Sequence, residues 1–321
     1  MEPPHRGVKP SRIIVGGLVT STELAIPGAA PAPADSETDV EIRFGAVTDP
    51  PDLQPTGDGY SAVGPGGDVL LTIPDAARFL VSAGRCVVIE PANEAVRAED
   101  LLVFLLGSVF GVLFYQRGTI PLHATSLRIG CRAVLLCGDS GAGKSTLGQR
   151  LAERGHELVA DDVTPVTVSG QETPLCWPLV PLVKLWGDAA EALGIPVEGL
   201  GTIRPGIPKY RVGLPVTGRP DPVALGLVVV LSDGDDDQPQ VEELRGLAAV
   251  GLVHRQFYRP WIGVPLLGRQ ACMLAAMRMA AKARVFALAR RKGFDRLDDL
   301  AALVEALSAQ SAATSRDSPA V

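Results

Sequence analysis

Nine consecutive residues restrict this 321-residue chain more than any others: Gly138-Asp139-Ser140-Gly141-Ala142-Gly143-Lys144-Ser145-Thr146. They fit GxxxxGK[ST], the pattern of a phosphate-binding loop. A short apolar run at 133–137 reads as a strand entering the loop, and 144–154 reads as a helix leaving it. The glycines let backbone N–H groups turn inward around a polyphosphate, and the helix N-terminus adds its dipole. Lys144 is expected to bridge the β and γ phosphates, and Ser145 to ligate Mg²⁺.

Two carboxylates follow at Asp161-Asp162, ending the strand pattern Leu158-Val159-Ala160. Ligands collect at the carboxyl ends of strands in open α/β sheets. One carboxylate suits the shell of a metal, and its neighbour suits the proton of an attacking hydroxyl. Pro121-Leu122-His123-Ala124 stands just ahead of the loop's strand, making His123 a further candidate. His5, His156 and His254 have no such setting.

Strand, loop, helix and strand in this order predict an α/β unit with a parallel sheet. The stretch before it differs in texture. Residues 40–44 alternate apolar and polar, 69–73 and 85–89 are further strand candidates, and turns rich in Gly and Pro separate them. The expected division is therefore a flexible 1–10, a small β-rich domain over 11–118, a catalytic α/β domain over 119–308 and a disordered tail over 309–321. Residues 101–115 form the most apolar run, too short for the roughly 20 residues of a spanning helix and better suited to a buried core helix. Its Gly107-x-x-x-Gly111 spacing permits close packing. Residues 163–168 and 224–231 read as strands, 264–292 as helical and 296–308 as an amphipathic helix.

A net charge of −6 argues against a dedicated nucleic-acid binder. The five cysteines (Cys86, Cys131, Cys137, Cys176, Cys272) have neither disulfide-framework nor zinc spacing, and read as buried thiols of a reducing compartment. The expectation is a cytoplasmic protein without membrane or nucleic-acid partners.

Three segments in register, Leu122-His123, the loop from Cys137 to Thr146, and Arg154-Gly155-His156-Glu157-Leu158-Val159-Ala160-Asp161-Asp162, resemble the catalytic domain of HPr kinase/phosphorylases. The resemblance implies the P-loop fold those enzymes share with phosphoenolpyruvate carboxykinases, with ATP and Mg²⁺ as ligands. It implies that Asp161 faces the metal and that Asp162, near His123, deprotonates a substrate hydroxyl. The family's Glu-x-Arg-Gly-x-Gly signature is absent. Trp177-Pro178-Leu179-Val180-Pro181-Leu182-Val183-Lys184-Leu185-Trp186 stands in the comparable stretch. In this the chain is more similar to the stand-alone relatives encoded with lasso-type ribosomal peptides, which phosphorylate a serine of a precursor peptide.

Lys184, Arg204, Lys209 and Arg211, in a region rich in Gly and Pro, are supporting candidates for phosphate or substrate contact, as are Arg255 and Arg259. Phosphoryl transfer depends on positioning and positive charge. The first expectation is a Mg-ATP-dependent kinase acting on a Ser/Thr hydroxyl of a peptide or small protein, with homo-oligomerisation left open. A bifunctional HPr kinase/phosphorylase, a non-catalytic ATP sensor and a small-molecule kinase stand as alternatives.

Overall fold

The computed structural model describes residues 9–204, 206–213 and 221–314. Residues 1–8 and 315–321, within the two ends read as flexible, lie outside the described residues. The first part of the chain supplies nine strands among the described residues. These are β1 (Ser11–Val15), β2 (Leu18–Thr22), β3 (Ala30–Pro31), β4 (Val40–Phe44), β5 (Gln54–Pro55), β6 (Ser61–Val63), β7 (Val69–Ile73), β8 (Ala77–Ser82) and β9 (Cys86–Pro91). They form one sheet in the order β3-β1-β2-β4-β9-β8-β7-β6-β5. Only β2–β4 and β4–β9 pair in parallel. The period-two pattern of β4 turns Val40 and Ile42 inward and Glu41 and Arg43 outward, as its sequence requires.

The apolar run becomes one continuous helix of three pieces: α1 (Ala98–Phe104), a π turn (Leu105–Val109) and α2 (Phe110–Gln116). Its mean hydropathy of 1.8 and 19 residues would suffice to cross a membrane, yet 72% of it is buried inside the protein. Leu101, Leu105, Phe110 and Leu113 share a core with Val40, Ile42, Phe79 and Ile89 of the sheet. Gly107 and Gly111 do bring a neighbour close, but the neighbour is the ring of Tyr258 rather than a second helix.

The rest of the chain runs β10 (Ile120–Leu122), β11 (Ala124–Ile129), β12 (Arg132–Gly138), α3 (Lys144–Glu153), β13 (Glu157–Ala160), β14 (Thr164–Thr167) and β15 (Leu175–Cys176). Next come β16 (Leu182–Trp186), α4 (Gly187–Ala192), β17 (Thr202–Arg204), β18 (Ile207–Gly213) and β19 (Val223–Asp233). The chain ends with β20 (Gln240–Leu244), α5 (Gly246–His254), α6 (Pro260–Leu267), α7 (Arg269–Lys282), β21 (Arg284–Arg290) and α8 (Leu297–Thr314). A second sheet follows the order β10-β14-β15-β19-β12-β11-β13, with β21 also on β19 and β20 on β21. Strands β16, β18 and β17 make a third, smaller sheet.

The second sheet is mixed, which corrects the simple parallel unit expected around the loop. β13 does not pair with β12; β11 lies between them, antiparallel to both, and the parallel partner of β12 is β19. The cause is local. β11 and β12 form a hairpin turning at Gly130-Cys131, with Gly130 at φ 62°. A tight hairpin of this kind favours a glycine at positive φ. It also leaves Cys131 exposed, against the expectation of a buried thiol, whereas Cys137, Cys176 and Cys272 are buried. All five are free.

β19, flanked by β12 and β21, is a near-continuous Val/Leu run, as a strand covered on both faces must be. α5 and α7 pack over one face of this sheet, α3 and α8 over the other. The helix read over 264–292 breaks at Lys282. Residues 284–290 are a strand, because the parallel edge of β19 offers seven residues of pairing that outweigh a weak helix propensity. α8 runs to Thr314, six residues into the segment read as a tail.

Tyr115 locks the long helix onto the second half of the chain. Its hydroxyl donates to the Tyr258 carbonyl at 2.7 Å, and its ring lies on Gly263 of α6. A Cβ at position 263 would run into that ring, which is almost wholly buried and tethered through its hydroxyl. Overpacking of this kind costs about 1–3 kcal/mol. Gly263→Ala should therefore lower the thermal midpoint by several degrees in a calorimetric scan.

Candidate active site

The loop lies between β12 and α3, with Gly143 as N-cap of the helix at φ 86°. A side chain there would be strained at that φ and would also strike the guanidinium of Arg290. Lys144, 6% exposed, folds back over the loop: its Nζ donates to the carbonyls of Gly138 at 2.8 Å and Asp139 at 2.9 Å. It also lies 3.0 Å from Nε2 of His123. Burial lowers the Lys144 pKa, against the pull of the nearby carboxylates.

His123 bridges the lysine and the second aspartate. Its Nδ1 is 3.0 Å from the carbonyl of Asp162 and 3.5 Å from that residue's Oδ1. Since an ammonium only donates and a carbonyl only accepts, these partners call for the proton on Nδ1. Burial, aided by the Lys144 charge, lowers the His123 pKa, so the ring is neutral at pH 7.

Asp161 is buried and fully engaged. Oδ1 accepts from Thr125 at 2.6 Å and from Ser145 at 2.8 Å, and Oδ2 accepts from the backbone N–H of Lys184 at 2.9 Å. Asp162 stands in the left-handed region at φ 71°, a conformation aspartate tolerates better than most residues. The turn sends its carboxylate to Lys184, whose Nζ donates to Oδ2 at 2.7 Å. Burial raises the Asp162 pKa, but the Lys184 ammonium outweighs it and holds the carboxyl well below the usual range. The same pair raises Lys184 above its ordinary value, although burial works against it.

These groups face one cleft of about 270 Å³. His123, Ser140, Gly141, Gly143, Lys144, Ser145, Thr146 and Asp162 line it, as do Lys184 and Lys209. Asp161 stands behind Ser145. Gly138, Asp139 and Ala142 shape the loop through their backbone. The other candidates fall elsewhere. Arg211 donates to the Glu99 carbonyl at 2.9 Å, on the far side of Lys184. Arg255 is exposed and outside the cleft, and Arg259 turns to Asp58 at 3.5 Å. Arg204 is in β17, and its side chain lies outside the described residues.

Two participants escape sequence reasoning. Arg290 lines the cleft and donates from Nη2 to the Ala142 carbonyl at 2.8 Å, and burial lowers its pKa. Reading its segment as helix hid it. Gln256 accepts from the Gly138 N–H at 3.1 Å, and its carbonyl accepts from the His123 N–H at 2.7 Å. The sequence drew attention to the charges at 255 and 259; the neutral residue between them is the one touching the loop.

Residues 118–176 match the family model described as HPr Serine kinase C-terminal domain. That span holds His123, the loop and both aspartates, but not Lys184, Lys209 or Arg290. HPr kinase/phosphorylases of Streptococcus pyogenes and Streptococcus uberis are each 39% identical to this chain over 84 residues, which cover 26% of it. The matching stretch is 24% of each relative, so the chain spans about a quarter of the length of the curated relatives it matches. The structure of the Hpr(Ser) kinase/phosphatase from Coxiella burnetii aligns at a TM-score of 0.30 and 16% identity, covering 61% of this chain and 98% of that one.

Thr125→Val keeps the shape but removes one donor from a buried carboxylate, and hydrogen bonds to charged groups are worth about 1.5–3 kcal/mol. Urea unfolding should show a loss of that size. Asp162 has a lower pKa folded than unfolded, so its ion pair stabilises above an unfolded carboxyl pKa of about 4 and is lost as pH falls through the folded value. The stability gap between the native protein and Lys184→Met should hold level from pH 8 to 6 and narrow below about pH 4; a gap indifferent to acid would contradict this account of the pair.

Proposed function

We propose that this chain is a Mg-ATP-dependent kinase of the HPr kinase type, which transfers the γ-phosphoryl group to a Ser/Thr hydroxyl of a peptide or small protein. The observation carrying the reading is that Lys144, Ser145 and Asp162 line one cleft, with the Asp161 carboxylate directly behind Ser145 at 2.8 Å.

Ser145 and Asp161 suit Mg²⁺: their oxygens are hard donors 2.8 Å apart, and this ion favours one or two carboxylates plus substrate phosphates over an all-protein cage. When bound, the ion supplies charge neutralisation on the β and γ phosphates. The loop N–H groups and Lys144 hold the polyphosphate. Lys209 and Arg290 add positive charge along the same cleft. Asp162 accepts the acceptor hydroxyl's proton while the new O–P bond forms and the bond to the leaving diphosphate breaks. A carboxylate held at low pKa is a weak base, which suits a loose transition state in which the proton leaves late. His123, donating from Nδ1, acts as a positioning residue between Asp162 and Lys144.

The proposed acceptor is a lasso-type ribosomal precursor peptide, on the strength of the resemblance to stand-alone peptide kinases. The phosphorylase activity is left out because the Glu-x-Arg-Gly-x-Gly signature, which the resemblance ties to phosphate release from phosphoserine, is absent and Trp177 to Trp186 stands in its place. The reading places the protein in the cytoplasm, with which five free thiols accord.

Intact-mass analysis of a co-encoded Ser-containing peptide after incubation with protein, Mg²⁺ and ATP tests this. The peptide should gain one phosphoryl group or more. Asp162→Asn should slow transfer by at least about 10²-fold while still binding ATP, and Lys144→Ala should lose both. An unchanged peptide mass with ATP bound would sink the kinase reading.

A further inference from the structure

A second cavity, of about 380 Å³, lies on the other side of Lys184 from the phosphate cleft. Its wall is apolar: Leu102 and Val103 from α1, Leu106 from the π turn, Leu179, Leu182 and Ile203. π turns inside helices recur at functional sites. Lys184 lines both cavities, while Asp162 faces the cleft and Asp161 faces this pocket. The pocket's two cations are already engaged, Lys184 with Asp162 and Arg211 with Glu99. It therefore offers apolar surface rather than a seat for an anion. Apart from Asp161, the residues lining this pocket lie outside the span 118–176 that matches the kinase family model.

Resting on the kinase reading, we propose that this pocket selects the acceptor: it seats a bulky apolar side chain, of the Leu or Phe class, within two residues of the phosphorylated Ser or Thr. Three features favour a peptide as the occupant. The pocket and the cleft share Lys184, which pairs with Asp162, so an acceptor seated at Asp162 has the pocket as its neighbour. Side chains two apart on an extended strand lie about 7 Å from each other on the same face, so one strand can present a hydroxyl to one cavity and an apolar group to its neighbour. The wall is mainly aliphatic, and the charged residue at its edge that is not tightly paired, Glu99, is an anion that would repel a phosphate or carboxylate head group. Burying one such side chain is worth about 10-fold to 100-fold in affinity.

The test uses two pools of fluorescent nine-residue peptides with a central Ser, one carrying Leu or Phe at the flanking positions and one carrying Asn or Gly. Binding to the full chain is read by anisotropy without nucleotide, and transfer is read separately with Mg-ATP. The apolar pool should bind at least about 10-fold more tightly. Val103→Trp, which fills the pocket, and Ile203→Lys, which charges its wall, should each abolish that preference while ATP affinity, a check on folding, stays unchanged. Equal binding of the two pools, or a preference that survives both substitutions, overturns the proposal. Transfer to free apolar alcohols such as 3-methylbutanol, with neither pool bound, also overturns it and makes the occupant a small molecule. Apolar-pool binding lost in both variants, but without transfer in the native chain, supports the pocket and removes the kinase reading instead.

Discussion

The carboxylate of Asp161 ties the site together. It accepts from β11 through Thr125, from α3 through Ser145 and from β16 through the Lys184 backbone. A buried charge without such donors is costly, so three elements distant in sequence are held to one point at the end of β13. The arrangement also settles its neighbour. Fixing the Lys184 backbone on Asp161 brings the Lys184 side chain to Asp162, so one carboxylate is satisfied by neutral donors and the next by a cation. Adjacent residues of the same chemistry thus acquire different electrostatics from their partners alone.

The two halves of the chain are interlocked rather than merely connected. The helix over 98–116 completes the core of the first sheet, yet Gly107 and Gly111 receive Tyr258, and Tyr115 reaches the same residue's carbonyl. Asp58, from the first sheet's loops, accepts from Trp261 at 2.9 Å and pairs with Arg259 at 3.5 Å. Tyr258 is two residues beyond Gln256, which holds the loop and the His123 backbone. Packing of the first sheet and the shape of the 138–146 loop are therefore linked through one short segment.

What the sequence made legible was local. The loop, its helix and the Asp161-Asp162 pair follow from contiguous residues whose spacing carries the geometry. Strand β4 was readable because one face is buried and the pattern alternates. The insertion of β11 between β12 and β13 was not, since hairpin turns fix which strands are consecutive, not where a later strand joins. Arg290 was hidden because a short run of Val, Phe, Ala and Leu suits a strand or a buried helix equally, and only the free edge of β19 decides. Lys184 was noticed for its charge, but its partner, 22 residues earlier, follows only from the left-handed turn at Asp162.

The hydrogen bond from Arg290 to Ala142 joins residues 148 positions apart. Chains are made from the N-terminus at about 5–20 residues per second, so the loop leaves the ribosome roughly 7–30 s before its arginine. During that interval β19 has no β21 on its edge and the Ala142 carbonyl has no guanidinium. The loop is therefore complete as a sequence long before it is complete as a shape. The cleft is among the last parts of this protein to be finished.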